Sequence, residues 1–253
     1  MNFLINTTNK LLRRFKIEIV RQKDLQLYYQ HDYGVAGFDK YRDIQVYHNN
    51  RKLDKIWADE KTLGLISEYV RTHVKKVKAG ICHGTRRGFE QAVLSRLLKC
   101  TVIGTEISDT AIRFPKTVQW DFHKRNSKWI GAYSVVYSNS LDQAFDPKRA
   151  LETWVEQLTE DGLLFIEHTM SHSASGASEM DPFGAHPLIM PYLIFEWGRG
   201  KYRLADIIRP SHKKHNKYDL WIFVIKKVER LPYKIRKRKS KKHIVIMKKQ
   251  AKS

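Results

Sequence analysis

Only two cysteines, Cys82 and Cys100, occur among the 253 residues. One lies in an apolar strand pattern and the other at the end of a helical pattern. That excludes a disulfide framework and points to reduced, structural thiols in a cytosolic setting. No second Cys or His stands at ligand spacing from either, so the sequence offers no zinc motif. Long hydrophobic runs are missing as well. The longest clean one, LWIFVI, is too short to cross a bilayer, and the opening MNFLINTTNKLLRRF lacks the apolar stretch of roughly 7–15 residues that a signal peptide needs. The expectation is a cytoplasmic protein that is neither exported by that route nor integral to a membrane. Acidic residues are scarce: 26 against 47 Lys and Arg, a net charge of +21.

That excess sits at the two ends. Residues 226–253 hold 13 Lys and Arg against one acid, and residues 1–24 hold six against two, which leaves the middle only mildly basic. At this length one substantial core is expected, with three parts: an N-terminal amphipathic segment and Tyr-rich connection over 1–52, a main domain over 53–228 and a basic tail over 229–253. Residues 9–19 place Leu11, Leu12, Phe15 and Ile19 on one helical face, with Arg13, Arg14 and Lys16 elsewhere on the turn. This suits an interfacial helix on anionic lipid or a helix packed on the domain. Residues 26–52, polar and aromatic with two glycines, read as a loop or lid-like connection, and 52–73 as a helix or helix pair.

From residue 77 onward strand and helix signals alternate: strand 77–82, helix 87–99, strand 102–106, short helix 109–113, strand 117–120, strand 133–137, helix 147–158, strand 163–168. Parallel strands need crossovers, so this alternation predicts an α/β fold, a Rossmann-like α/β/α sandwich with ligands at the carboxyl ends of the strands. The last apolar pattern, 220–226, reads as a closing strand paired with 202–208. Between them the Ser-, Gly- and Pro-rich segment 171–191 has the length of a functional loop.

The informative stretch is AGICHGTRRGFEQ, followed by VIGTEIS and TVQWDF. An apolar strand runs into a tight loop from Gly84 to Gly88 and then a helix, so backbone N–H groups at the helix start can face a ligand. Glu106 falls 22 residues after Gly84, at a strand end where a carboxylate can accept from a ribose diol. No Gly-Lys-Ser/Thr follows the loop, which removes a P-loop, and Gly84-Thr-Arg-Arg-Gly88 is not the dinucleotide fingerprint. Asp121-Phe122 favours S-adenosylmethionine, with the carboxylate accepting from the adenine amino group while the ring packs on the base.

These segments, with SNSLDQA and GLLFIEHT, resemble the class I S-adenosylmethionine-dependent methyltransferases over about residues 77–169. The resemblance implies a mostly parallel seven-stranded sheet whose last strand is antiparallel. It implies that Gly84, Thr85 and Gly88 line the methionine part, that Glu106 with Ile107 holds the ribose and that Asp121 with Phe122 holds the adenine. Ser138, Asn139 and Ser140 would border the sulfonium. The chain departs from the family in the first loop, where an acid and further glycines are usual and this sequence has His83 and Arg86-Arg87. Either arginine is a candidate partner for the methionine carboxylate.

Methyl transfer asks the protein to align donor and acceptor and to take a proton from the acceptor. Candidate bases at strand ends are Asp142, Glu167, His168 and His172. His168 stands first because it follows an apolar strand and an imidazole titrates near neutrality, and Asp142 is base, orienter or helix cap. For the acceptor, the basic ends suit an anionic membrane surface or nucleic acid. The opening LLRRFKIEIVRQK resembles those of bacterial surface-polysaccharide methyltransferases and glycosyltransferases, which implies polysaccharide biosynthesis and a glycan or glycan-precursor hydroxyl, peripheral to the inner membrane surface. An RNA or DNA methyltransferase, another small-molecule enzyme and a noncatalytic basic module on the same fold are the alternatives.

Overall fold

The structure, a computed structural model, describes residues 2–17, 19 and 26–228. The basic tail at 229–253 therefore lies outside the described residues. Helix α1 (Asn2–Leu12) runs into a 3-10 turn that ends at Lys16 in left-handed backbone, φ 61°. The helix expected over 9–19 thus stops early. Asn9 holds the returning chain: its amide donates to the Ile19 carbonyl and its oxygen accepts from the Ile19 N–H, both at 2.8 Å. Leu11 and Phe15 stay exposed.

Strand β1 (Tyr28–Gln30) and helix α2 (Gly37–Arg51) occupy the segment expected to be a loop. Helix α2 hides from an apolar periodicity search because the face it buries is Tyr41, Gln45 and Asn49, one residue per turn but mostly polar. Helix α3 (Glu60–His73) is capped by Asp59, whose carboxylate accepts from Thr62 N–H at 2.8 Å, and it buries Leu63, Ile66 and Val70. Strands β2 (Ala79–His83), β3 (Thr101–Glu106), β4 (Thr117–Gln119), β5 (Tyr133–Ser138) and β6 (Leu158–Thr169) follow, with α4 (Phe89–Leu98) between β2 and β3 and α5 (Pro147–Glu156) between β5 and β6. Strand β7 (Phe183–Ala185), inside the long segment 171–191, pairs antiparallel with β1 to form a separate two-stranded ribbon. Helix α6 (Met190–Gly198) and strands β8 (Tyr202–Ile208) and β9 (Leu220–Lys227) complete the described chain.

The main sheet has the order β4-β3-β2-β5-β6-β9-β8, with β9 antiparallel to both of its neighbours. Alternation along the central strands builds two cores. Ile81, Val136, Leu164 and Ile166 face Trp154 of α5, whereas Cys82, Val135, Tyr137 and Phe165 face α3 and α4. Both cysteines are free. No helix among the described residues is long and apolar enough to cross a membrane. After β4 the chain returns to the far side of β2, so the strand order reverses between β2 and β5. The crevice at their carboxyl ends is where such sheets bind ligands.

Lys214, on the β8–β9 connection, is fully buried. Its Nζ lies 2.6 Å from Glu167 Oε1 and 2.9 Å from Asp59 Oδ2, and Tyr137 donates to the other Glu167 oxygen at 2.8 Å. This pins the connection to the sheet and to the cap of α3. Replacing Lys214 with Met leaves two carboxylates without their cation and is expected to cost about 3–5 kcal/mol in urea unfolding.

Candidate active site

Backbone geometry at the reversal makes the first loop. Gly84 (φ 73°) and Gly88 (φ 81°) adopt left-handed backbone, and a Cβ on Gly84 would meet Ser140 at 2.7 Å. The Gly84 and Thr85 N–H groups both donate to the Thr105 carbonyl, so the loop is fastened to β3. Gly88 caps α4. From the end of β5, Ser138 donates to the His83 carbonyl at 3.1 Å and accepts from Ser140 N–H, which braces the loop from the other side.

Two adjoining clefts open on this loop. The first is narrow and is lined by Gly84, Glu106, Ile107, Asp121 and Phe122 from the strand ends and by Tyr41, Gln45, His48, Asn49 and Lys52 from α2 and its end. Glu106 is buried. Its Oε2 accepts from Arg86 N–H at 3.1 Å and its Oε1 from Ser108 N–H at 3.0 Å. Burial raises its pKa, and those two bonds oppose the rise. Asp121 is held by His123: Asp146 N–H donates to His123 Nε2, so the ring proton sits on Nδ1 and is given to Asp121 Oδ1 at 2.7 Å. Burial pushes Asp121 up, but the His123 bonds outweigh it and keep the carboxyl below its usual pKa.

The second cleft, about 520 Å³, is much the wider and shares Lys52, Gly84, Arg86 and Gln143 with the first. Thr85, Glu90, Asn139, Ser140 and Asp142 line it on the sheet side, and Asp181 and His172 come from the long segment. Trp57, His215 and Tyr218 make an aromatic wall, with the Trp57 ring 5.0 Å from His215 and 6.0 Å from Tyr218. Four buried polar atoms on this lining have no partner: Thr85 Oγ1, Glu90 Oε2, Asp142 Oδ1 and Trp57 Nε1. Such groups are costly unless something satisfies them. Burial pushes Asp142, Glu90 and Asp181 each up to about 7, with the neighbouring Asp142 charge adding to the rise at Asp181.

Most of the sequence-derived residues converge here. Ser138 and Gly88 shape the loop from behind and do not line either cleft. The arginines of the loop are already engaged: Arg86 donates to the carbonyls of Lys52 and Lys55, and Arg87 to that of Asp54. His83, standing where the resembling family has an acid, is buried between strands. Its Nε2 donates to Gln157 at 2.8 Å, Thr105 bonds its Nδ1, and the ring stacks on Trp154; burial lowers its pKa to about 4. It is a neutral core residue.

His168 lines neither cleft. The ribbon strand β7 lies over the end of β6, and His168 Nε2 donates to the Ala185 carbonyl at 2.9 Å; burial lowers its pKa to about 3. His172 does reach the cleft, with Nε2 3.7 Å from Asp142 Oδ2, and burial lowers it to about 4. Glu167 is committed to Lys214 and Tyr137. Among the described residues no three His, Cys, Asp or Glu stand together as metal ligands. The residues that spacing missed are those of α2, together with Trp57, Glu90, His215 and Tyr218. Of these only Glu90, an acid in the first turn of the helix after the glycine loop, carried a local signal.

No protein-family model matches the sequence, and no curated protein does. Solved structures do match. The 1,6-didemethyltoxoflavin-N1-methyltransferase of Burkholderia thailandensis, with bound 1,6-didemethyltoxoflavin and S-adenosylhomocysteine, gives a TM-score of 0.59 at 13% identity over 79% of this chain and 94% of that one. The N-methyltransferase NodS of Bradyrhizobium japonicum, in complex with S-adenosylhomocysteine, gives 0.54 at 11% over 74% and 100%. The plantazolicin methyltransferase BpumL, in complex with a triazolic desmethylPZN analog and S-adenosylhomocysteine, gives 0.54 at 13% over 75% and 96%. The chain has the Rossmann-like fold of S-adenosylmethionine-dependent methyltransferases.

Proposed function

We propose that this protein is an S-adenosylmethionine-dependent methyltransferase acting on a small-molecule acceptor. The observation that carries the reading is the convergence of Gly84, Glu106, Asp121 and Phe122 on one cleft that opens, across Gly84 and Arg86, into a second. The residues fit the donor. Glu106 keeps lone pairs for a ribose diol beyond the two it gives to backbone N–H groups, and Asp121 is fixed for an adenine amino group beside Phe122. The unpartnered Glu90 oxygen, next to the loop, suits the ammonium of the methionine end. Glu90 thereby supplies the negative charge that His83 does not.

When bound, the donor supplies an electrophilic methyl group on a cationic sulfur. The chain's own part is alignment and proton removal. Asp142 is the base in this reading: it lines the second cleft next to Gln143, which borders both, has a free oxygen and sits poised near neutrality. A hydroxyl of a glycan or glycan precursor, the acceptor expected from the sequence, rests on the resemblance of the opening segment alone. The three-part division of the chain, and attachment of the basic ends to an anionic membrane surface, belong to the same proposal and rest on charge and pattern alone.

A thermal scan tests the donor. S-adenosylhomocysteine at a hundredfold excess over its Kd is expected to stabilise the protein by about 2.7 kcal/mol and raise the Tm by several degrees. ATP, with the same nucleoside but no amino-acid end, is expected to do markedly less. Equal shifts would point to a generic nucleotide site.

A further inference from the structure

Resting on the methyltransferase reading, we infer that the acceptor is an amine, which enters the second cleft as an ammonium ion against Trp57 and Tyr218 and is held by the carboxyls of Asp142 and Asp181. The buried cation nearest the cleft wall, Lys214, 5.9 Å from the Trp57 ring, is paired with Asp59 and Glu167. Lys55 is exposed at the rim, and Arg86 and Arg87 are turned onto backbone carbonyls. Carboxyls lie deeper. Asp142 is 9% exposed with one oxygen unpartnered, and Asp181 makes no side-chain hydrogen bond. Facing this pair are Lys52 from the end of α2, His172, and Arg86 on the side of Asp181. Lys52 Nζ is bonded to Met180 Sδ at 2.7 Å, and its charge lowers the pKa of both acids, but burial outweighs it and each stays near 7.

A second, half-buried acid beside the first is a costly arrangement for a hydroxyl substrate. An alcohol is neutral, and it brings no charge to offset two ionised carboxyls in a desolvated cleft. An ammonium does offset them. The wall opposite is aromatic, the surface on which a desolvated cation gains up to about 2 kcal/mol, and it already draws Lys214 to Trp57 at 5.9 Å and Lys217 to Tyr218 at 4.9 Å. His172, kept neutral by its burial beside Lys214, adds no positive charge to repel it.

The step balances with the donor as co-reactant. Asp142 takes a proton from the ammonium, and the freed nitrogen lone pair forms the new N–C bond. The C–S bond breaks with its electron pair staying on sulfur, which leaves the neutral thioether, and the methylated nitrogen retains the positive charge. Product leaves as an ammonium and the carboxyl proton returns to solvent.

The test uses the full chain saturated with S-adenosylhomocysteine, titrated calorimetrically with phenethylamine and with 2-phenylethanol in two buffers of different ionisation enthalpy. The amine is expected to bind at least about tenfold more tightly than the alcohol. At pH 6.5 its binding is expected to release about half a proton or more, because an incoming cation drives the protons off the carboxyls. Asp142→Asn should abolish the preference and most of the proton release. The same two losses are expected of Asp181→Asn, a less buried position that serves should the first variant not fold. Trp57→Leu should weaken both probes. Equal affinities, no binding of the amine, or a preference that survives both Asn variants would overturn the inference. Failure of S-adenosylhomocysteine itself to bind would instead remove the methyltransferase reading beneath it.

Discussion

Replacing Glu106 with Gln is expected to weaken S-adenosylhomocysteine binding about a hundredfold. The carboxylate uses one lone pair on each oxygen to accept from Arg86 N–H and Ser108 N–H, and the others remain for two ribose hydroxyls. Gln presents an NH₂ in place of one oxygen. That group opposes one of the backbone donors and cannot accept from the ribose. Hydrogen bonds to a charged acceptor are worth roughly 1.5–3 kcal/mol each, and a loss of about 2.7 kcal/mol is a factor of one hundred. Because burial raises the pKa of Glu106, and the ionised form is the acceptor, affinity should fall as the pH is lowered toward that pKa. Glu60→Gln, at an exposed position paired with Arg96, is the control and should leave binding unchanged.

Replacing Asp142 with Asn is expected to lower kcat/KM by about 10²- to 10⁴-fold, the range for loss of a positioned general base. The pH profile gives a second reading. In the intact protein the base is the ionised carboxyl, whose pKa burial lifts to about 7, so kcat/KM should climb with pH below about 7 and level off above it. The Asn variant should lose that limb. Stability should move the other way. The folded-state pKa lies above the ordinary carboxyl value, so the native state holds the proton that the unfolded chain releases first. Stability from this group is therefore full below about pH 4 and is lost as pH rises through about 7. Asn mimics the protonated form at every pH. Above pH 7 the variant should be more stable, by about 1–3 kcal/mol, while being a far poorer enzyme. Burial of a group at a cost to the fold marks a site kept for function.

The sheet could be read from the sequence because its central strands are continuous apolar runs, and each ends at a residue with distinctive chemistry: Gly84 after β2, Glu106 after β3, Asp121 just beyond β4 and Ser138 to Ser140 after β5. Local pattern sufficed there. It failed at α2, which shows helical periodicity only when Tyr41, Gln45 and Asn49 are counted as buried residues, and polarity argued against that. The helix lines the first cleft, and its inner face is written in hydrogen-bonding groups. His168 stands apart from the clefts for a different reason. Its strand end is roofed by β7, a three-residue strand within a Ser- and Gly-rich segment that pairs with β1 more than 150 residues earlier, and the imidazole satisfies that roof's carbonyl. The aromatic wall was equally out of reach. Trp57, His215 and Tyr218 meet where Lys214 and His212 tie the β8–β9 connection to Asp59 and its neighbours, long-range contacts that no spacing rule contains.

The donor site is the claim on which the rest depends, and calorimetry of the intact protein with S-adenosylhomocysteine addresses it most directly. Expected is a single site per chain with a Kd below about 100 µM, affinity falling at low pH, and no measurable heat for Glu106→Gln combined with Asp121→Asn. Absence of binding to the intact, folded protein, or unchanged binding by the double variant, would contradict it.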